Sequence, residues 1–146
     1  MTSKNGLALI SLLPSLLVLD RVLKAAAVAG ARFGIWKTSL VFELFRNTGI
    51  AFSLPISGPI VWLSSAAILA GVCALAVRDV RARRVDRMGA YILFVLGASS
   101  NLFDRIAYGF TIDYLIFFSR SAVNVADGMI VAGAIWLIAR SSDAAA

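Results

Sequence analysis

Two carboxylates give the first indication of chemistry in this chain. Asp113 and Asp127 lie fourteen positions apart in the stretch from Thr111 to Asp127, TIDYLIFFSRSAVNVAD. Each adjoins strongly apolar sequence. An ionisable side chain at membrane depth is expensive, so its default reading is functional. Two carboxyls brought together share one proton, one then serving as acid and the other as base. The structural alternative for Asp127 is a first-turn helix residue favoured by the helix dipole.

Other polar residues follow the same pattern. Asp20 and Lys24 are four apart, with the acid first, the favourable order on one helix face. They form either a helix-end pair with Lys24 snorkelling to the interface or a brace for a nearby site. Asn101, Asp104 and Arg105 share a helix face by their three- and four-residue spacings, as a salt-bridged terminus or as part of a site. Asn47 opens the turn signal Asn47-Thr48-Gly49, where turn geometry alone would explain it.

Composition sets the medium. Of 146 residues, 60% are hydrophobic and 15% charged, and mean hydropathy is +0.88. Soluble domains are about 45–50% apolar and about 25% charged, so the chain reads as one integral membrane domain, residues 1–146. The net charge of +6 would raise nucleic acid in a soluble protein. Here basic residues border apolar runs, and orientation in a bilayer explains them better. The absence of His excludes His-dependent triads and His metal sites. The single Cys73 lies in an apolar run, where it reads as a small buried or lipid-facing side chain and excludes disulfides.

The elements that must position these groups are four apolar runs, over 6–26, 58–77, 88–106 and 123–139, each near the length that crosses a bilayer. Pro14 is tolerable in such a helix. The first run resembles a cleavable signal peptide, but Asp20, Arg21 and Lys24 crowd the residues before Ala25-Ala26-Ala27, where small residues are favoured. Ser39 to Phe45 reads as a strand, with Ala51 to Leu54 as its partner across the turn. Phe33 and Trp36 suit the interface. The predicted fold is membrane all-α, four transmembrane helices with a small extracytoplasmic β-structure between helices 1 and 2. TIDYLIFF reads as β or extended chain. Gly97, Ala98, Ser99 and Ser100 allow close helix approach.

The Arg-rich loop RDVRARRVDR, residues 78–87, marks the cytoplasmic side. Both termini then lie inside, despite Arg32, Lys37, Arg46, Arg105 and Arg120 on the outer side. Asp20, Lys24, Asn47, Asn101, Asp104, Arg105, Asp113 and Asp127 all collect at the outer face. A transporter would spread polar residues through the bilayer depth, whereas the mid-span positions here are apolar. A purely structural subunit would not need paired aspartates in one layer.

These residues also resemble the lipoprotein signal peptidase (signal peptidase II) family. Asp20-Arg21-Val22-Leu23-Lys24 is similar to its D-x-x-x-K. Asn47-Thr48-Gly49-Ile50-Ala51-Phe52-Ser53 is similar to N-x-G-x-A-F-S, and Asn101-Leu102-Phe103-Asp104-Arg105 to G-N-L-I-D-R. Ile112-Asp113-Tyr114 resembles V-D-F, and Asn124-Val125-Ala126-Asp127 matches N-V-A-D. The resemblance implies an aspartyl endopeptidase of the bacterial cytoplasmic (inner) membrane, sensitive to globomycin, cutting prolipoproteins before a diacylglyceryl-modified Cys. It implies a catalytic dyad of Asp113 and Asp127. Polar support falls to Asp20, Lys24, Asn47, Asn101, Asp104, Arg105 and Asn124. No metal or cofactor is required. The expected partners are the lipidated prolipoproteins and membrane lipids, with no nucleic acid, and the expected state is a monomer. Three departures bear on pocket shape and substrate grip: Gly128 where the family has Ser, Gly97-Ala98-Ser99-Ser100 in place of a Gly-rich run, and a short segment between the aspartates. They leave open an inactive homologue that binds lipidated peptides.

Overall fold

The four apolar runs fold as helices: α1 (Lys4–Val28), α2 (Pro59–Arg81), α3 (Met88–Tyr108) and α4 (Val125–Ser142). The computed structural model describes residues 4–36, 39–49, 58–118 and 121–142. Local chemistry explains the helix ends. Pro59 opens α2, where a missing N–H is harmless. Gly109, at φ 82, closes α3 in the left-handed region, and its N–H bonds the Arg105 carbonyl at 3.0 Å. α4 starts at Val125 rather than 123 because Asn124 and Asp127 cap it reciprocally. The Asp127 N–H donates to Asn124 Oδ1 at 2.8 Å, and the Asn124 N–H donates to Asp127 Oδ2 at 3.0 Å. This is a capping box written with an amide and a carboxylate.

Four strands, β1 (Phe33–Trp36), β2 (Leu40–Asn47), β3 (Thr111–Phe117) and β4 (Ser121–Val123), form one antiparallel sheet in that order. The expected β-structure between helices 1 and 2 is present as β1 and β2, and the sheet extends beyond it. Half of the sheet comes from the segment between α3 and α4. β2 pairs with Phe33–Trp36 on one side and with β3 on the other. The expected partner, Ala51 to Leu54, lies outside the described residues. Aromatic stacking favours the observed pairing: Phe33 and Phe42 stack at 4.8 Å, and Phe42 meets Tyr114 at 5.4 Å. Ala27, Phe42 and Tyr114 are buried together and fasten the sheet to the end of α1.

The helices pack around α3. Gly97 lies so close to α4 that a Cβ there would be 2.5 Å from the Ala126 carbonyl oxygen. Gly133 approaches Ala90 and Phe94 in the same way. Leu13, Leu93 and Met129 fill the space between α1, α3 and α4. Among the described residues one helix, Pro59–Arg81, is by itself long and apolar enough to cross a membrane. Cys73 is exposed on it.

The Arg-rich segment is not one solvated loop. α2 continues through Arg78 and Arg81, and the chain reverses at Arg83, at φ 58. Arg78, Arg81, Arg83 and Arg84 are exposed, whereas Asp79 and Arg87 are buried. Tyr91 donates to Asp79 Oδ2 at 2.9 Å, Arg87 approaches the same oxygen at 3.4 Å, and Arg87 Nη2 donates to the Arg140 carbonyl at 2.9 Å. This knot ties together the ends of α2, α3 and α4 far from Asp113.

Gly97→Val is expected to lower stability by about 1–3 kcal/mol, read as a lower Tm in detergent. Gly128→Ser is expected to hold or slightly raise Tm, because nothing lies within 4 Å of a Cβ there and Ser is the better helix former.

Candidate functional site

β3 carries Asp113 as its third residue, and register places Asn47 beside it. Asn47 pairs with Thr111, and the side chains of residues 111 and 113 share a face. Asn47 Nδ2 donates to Asp113 Oδ2 at 2.9 Å. Its Oδ1 accepts the Gly49 N–H at 3.1 Å, so Asn47 shapes the turn and grips the carboxylate at once. A bulge in β2 between Phe42 and Phe45 sets this register. Asn124 Nδ2 donates to the other oxygen, Asp113 Oδ1, at 2.6 Å.

Asp127 is held as symmetrically. Asn101 Nδ2 donates to Oδ1 at 2.8 Å, and the Asn124 N–H donates to Oδ2. Asn124 therefore holds Asp113 by its side chain and Asp127 by its backbone. Both carboxylates line a cavity of about 420 Å³, with Asn47, Asn101, Arg105 and Thr111. Arg105 donates to Ser65 Oγ at 2.5 Å and lies in the field of both carboxylates. Gly128 is not among the lining residues. Burial pushes the Asp113 carboxyl up to about 7, and the nearby Asp127 charge adds to the rise. The amides of Asn47 and Asn124 and the charge of Lys24 pull the other way.

Behind this layer lies a buried ionic brace. Lys24 is fully buried, 3.0 Å from Asp20 Oδ2 and 2.7 Å from Asp104 Oδ2, both themselves fully buried. It donates to Asn101 Oδ1 at 2.9 Å, turning that amide's nitrogen toward Asp127. Arg21 pairs with Asp104 Oδ1 at 2.5 Å. Asp20 also accepts Ser100 Oγ at 2.6 Å and the Tyr114 hydroxyl and Ala126 N–H, each at 3.1 Å. Burial, and then the charge of Asp20, push the Tyr114 phenol up, which keeps it a neutral donor. The brace thus joins α1, α3, β3 and the start of α4.

All nine residues singled out in the sequence meet here. Asp20, Lys24 and Asp104 form the brace, Asn47, Asn101 and Asn124 hold the carboxylates, and Arg105 shares their cavity. Lys24 does not snorkel to the interface but is fully buried between Asp20 and Asp104. Sequence reading missed Ser100, Ser65, Tyr114 as a hydrogen-bonding residue, and Thr111. Thr111 is buried, lines the cavity, and its Oγ1 has no hydrogen-bond partner among the described residues. Among the described residues no three His, Cys, Asp or Glu side chains are grouped to hold a metal.

The family model for signal peptidase (SPase) II matches residues 12–142. The chain belongs to the signal peptidase II family. Signal peptidase II enzymes are membrane proteases. The lipoprotein signal peptidase of Allorhizobium ampelinum is 32% identical over 133 residues, covering 85% of this chain and 81% of that one. That of Tolumonas auensis is 35% identical over 134 residues, with 84% and 82% coverage. That of Mesorhizobium japonicum is 37% identical over 132 residues, with 84% and 77% coverage. The fold is similar to that of a bacterial membrane enzyme solved by the in meso method, with a TM-score of 0.77 and 22% identity, covering 93% of this chain and 88% of that one.

Lys24→Met is expected to destabilise the protein by about 3–5 kcal/mol, because it strands buried carboxylates. Adding Asp20→Asn should recover part of the loss, as read by thermal unfolding in detergent. Thr111→Val is expected to leave Tm unchanged or raised, since it removes an unpartnered buried hydroxyl while keeping the shape.

Proposed function

We propose that this protein is a membrane aspartyl endopeptidase that removes signal peptides from prolipoproteins, cutting just before a diacylglyceryl-modified cysteine. The relatives' shared name supports the substrate class. One observation carries the chemistry: Asp113 and Asp127 line one cavity and are held together through Asn124. Every hydrogen bond described to either carboxylate comes from an N–H donor, one to each oxygen. Each carboxyl keeps lone-pair capacity for a water or a proton.

In this reading the pair holds one proton and titrates as a unit. The ionised partner takes a proton from a water, which attacks the scissile carbonyl. The protonated partner gives its proton to the carbonyl oxygen or the leaving amine. Arg105 offsets the remaining negative charge. No covalent intermediate forms. Asn47, Asn101 and Asn124 fix both carboxyl planes, and Asp20, Lys24 and Asp104 act on them through Asn101.

The same reading takes all four helices as spans in the bacterial inner membrane, with both termini cytoplasmic and a monomeric enzyme. The apolar side chains exposed on α1, α2 and α4 support it, among them Val22, Leu63, Ile68 and Ile135. So do the exposed Arg78, Arg81, Arg83 and Arg84 at the end opposite the two carboxylates.

In a gel-shift assay with a diacylglyceryl-modified prolipoprotein, the parent protein should cleave in a globomycin-sensitive manner. Asp113→Asn and Asp127→Asn should each lose about 10²–10⁴-fold or more in kcat while remaining folded. Normal cleavage by either variant would remove that aspartate from the dyad.

The pH dependence follows from the raised Asp113 carboxyl. Parent kcat should fall as pH rises through about 7, where the pair loses its proton. Stability follows the same proton. The native carboxyl holds it more tightly than the unfolded chain, whose value is 3.8, so Asp113 contributes stability that is lost as pH rises from 3.8 to about 7. Asp113→Asn should remove this loss, gaining Tm relative to the parent at pH 8 but not at pH 4. Parallel Tm profiles would refute it.

A further inference from the structure

Among the described residues the sheet ends in an unpaired edge beside the two carboxylates. β4 is last in the order β1-β2-β3-β4, and its outer side pairs with no strand among the described residues. An edge strand presents unpaired N–H and C=O groups, ready to receive another extended chain. Ser121, Ala122 and Val123 are all partly exposed, and all line the cavity that holds Asp113 and Asp127. β4 is therefore part of the cavity wall.

Register fixes where this edge leads. Val123 pairs with Leu115, and Ser121 with Phe117. Asp113 lies two residues before Leu115 on β3. Asn124, which holds both carboxylates, directly follows Val123. The carboxylates thus lie beyond the Val123 end of β4. At about 3.3 Å per residue, an extended chain laid along β4 reaches them within one or two residues.

We propose that the main chain of the substrate binds as an added strand on the outer edge of β4. This rests on the peptidase reading above and names the ligand of the edge, the peptide backbone just after the lipidated cysteine. The side follows from depth. α4 runs from Asp127 toward the cytoplasmic face, whereas β4 lies on the outer side of Asp127. The membrane-embedded signal segment lies before the scissile bond, so the residues after it meet β4. Main-chain pairing is indifferent to side-chain identity, so one edge grips many different mature sequences. Because successive amides of an extended strand point to opposite sides, only alternate residues of the substrate bond to β4.

That alternation is the test. Synthetic diacylglyceryl lipopeptides carry a single N-methyl amide at the first, second or third residue after the lipidated cysteine. The full-length enzyme in detergent is assayed for kcat and KM on each. The expected result is a KM raised about tenfold at alternate positions, with the intervening position unaffected and kcat retained, as for loss of one main-chain hydrogen bond. Equal effects at all three positions, or none at any, would overturn the added strand while the unmethylated peptide is still cleaved. Failure to cleave the unmethylated peptide at all would instead overturn the peptidase reading on which it rests.

Discussion

The fold depends on a buried ammonium. Lys24 has no exposure to solvent, and an isolated charge in such a place is strongly unfavourable. It is tolerable only because Asp20 and Asp104 approach it from two elements and Asn101 and Ser100 complete its hydrogen bonds. Those partners lie about eighty residues away along the chain, apart from Asp20 one helical turn back. Satisfying one charge therefore fixes α1 against α3. Because Asn101 spends its oxygen on Lys24, its nitrogen is left for Asp127. Asp20 reaches the Ala126 N–H and so holds the start of α4. The orientation of one candidate carboxylate is thus traced through two bonds to a charge that never meets solvent.

Apolar contacts alone would not position this site. In a lipid medium the drive to pack one apolar helix on another is weak, and shape and hydrogen bonds decide. Gly97 supplies the shape by letting the Ala126 carbonyl come close to α3, and the Lys24 network supplies the direction. A second knot around Asp79, Arg87 and Tyr91 does similar work for the other ends of α2, α3 and α4. Between the two knots the helices present mostly apolar side chains.

Much of the site was legible because polar residues stand out in an apolar chain. Asp20 and Lys24 announce themselves by type and spacing, and so do Asn101 and Asp104. The cap formed by Asn124 and Asp127 is not read from their spacing, which is why the fourth run is expected from 123 whereas α4 starts at Val125. The sheet was legible only in part. Strand propensity marks Leu40–Asn47, but its partner at Thr111–Phe117 is some seventy residues away, and pairing at that distance leaves no local trace. Ser100 reads as a small packing residue because serine in a membrane helix does either job, and only the approach of α1 decides which. Thr111 carries no sequence signal at all: an unpartnered hydroxyl exists only once its surroundings are known.

The cap of α4 ties local folding to the site. Asp127 is both the third residue of its helix and the carboxylate whose oxygen closes the cap on Asn124, while the side-chain amide of Asn124 reaches across to Asp113. Fraying of that first turn would remove the cap of Asp127 and the bond from Asn124 to Asp113 in a single event, leaving Asp113 to Asn47 and Asp127 to Asn101. Helix ends are ordinarily where a structure breathes first. Here the end is laced into the sheet and into α1, so the opening rate of one helical turn sets how long the pair stays aligned, and backbone amide exchange at Val125 to Asp127 becomes a clock for the integrity of the whole site.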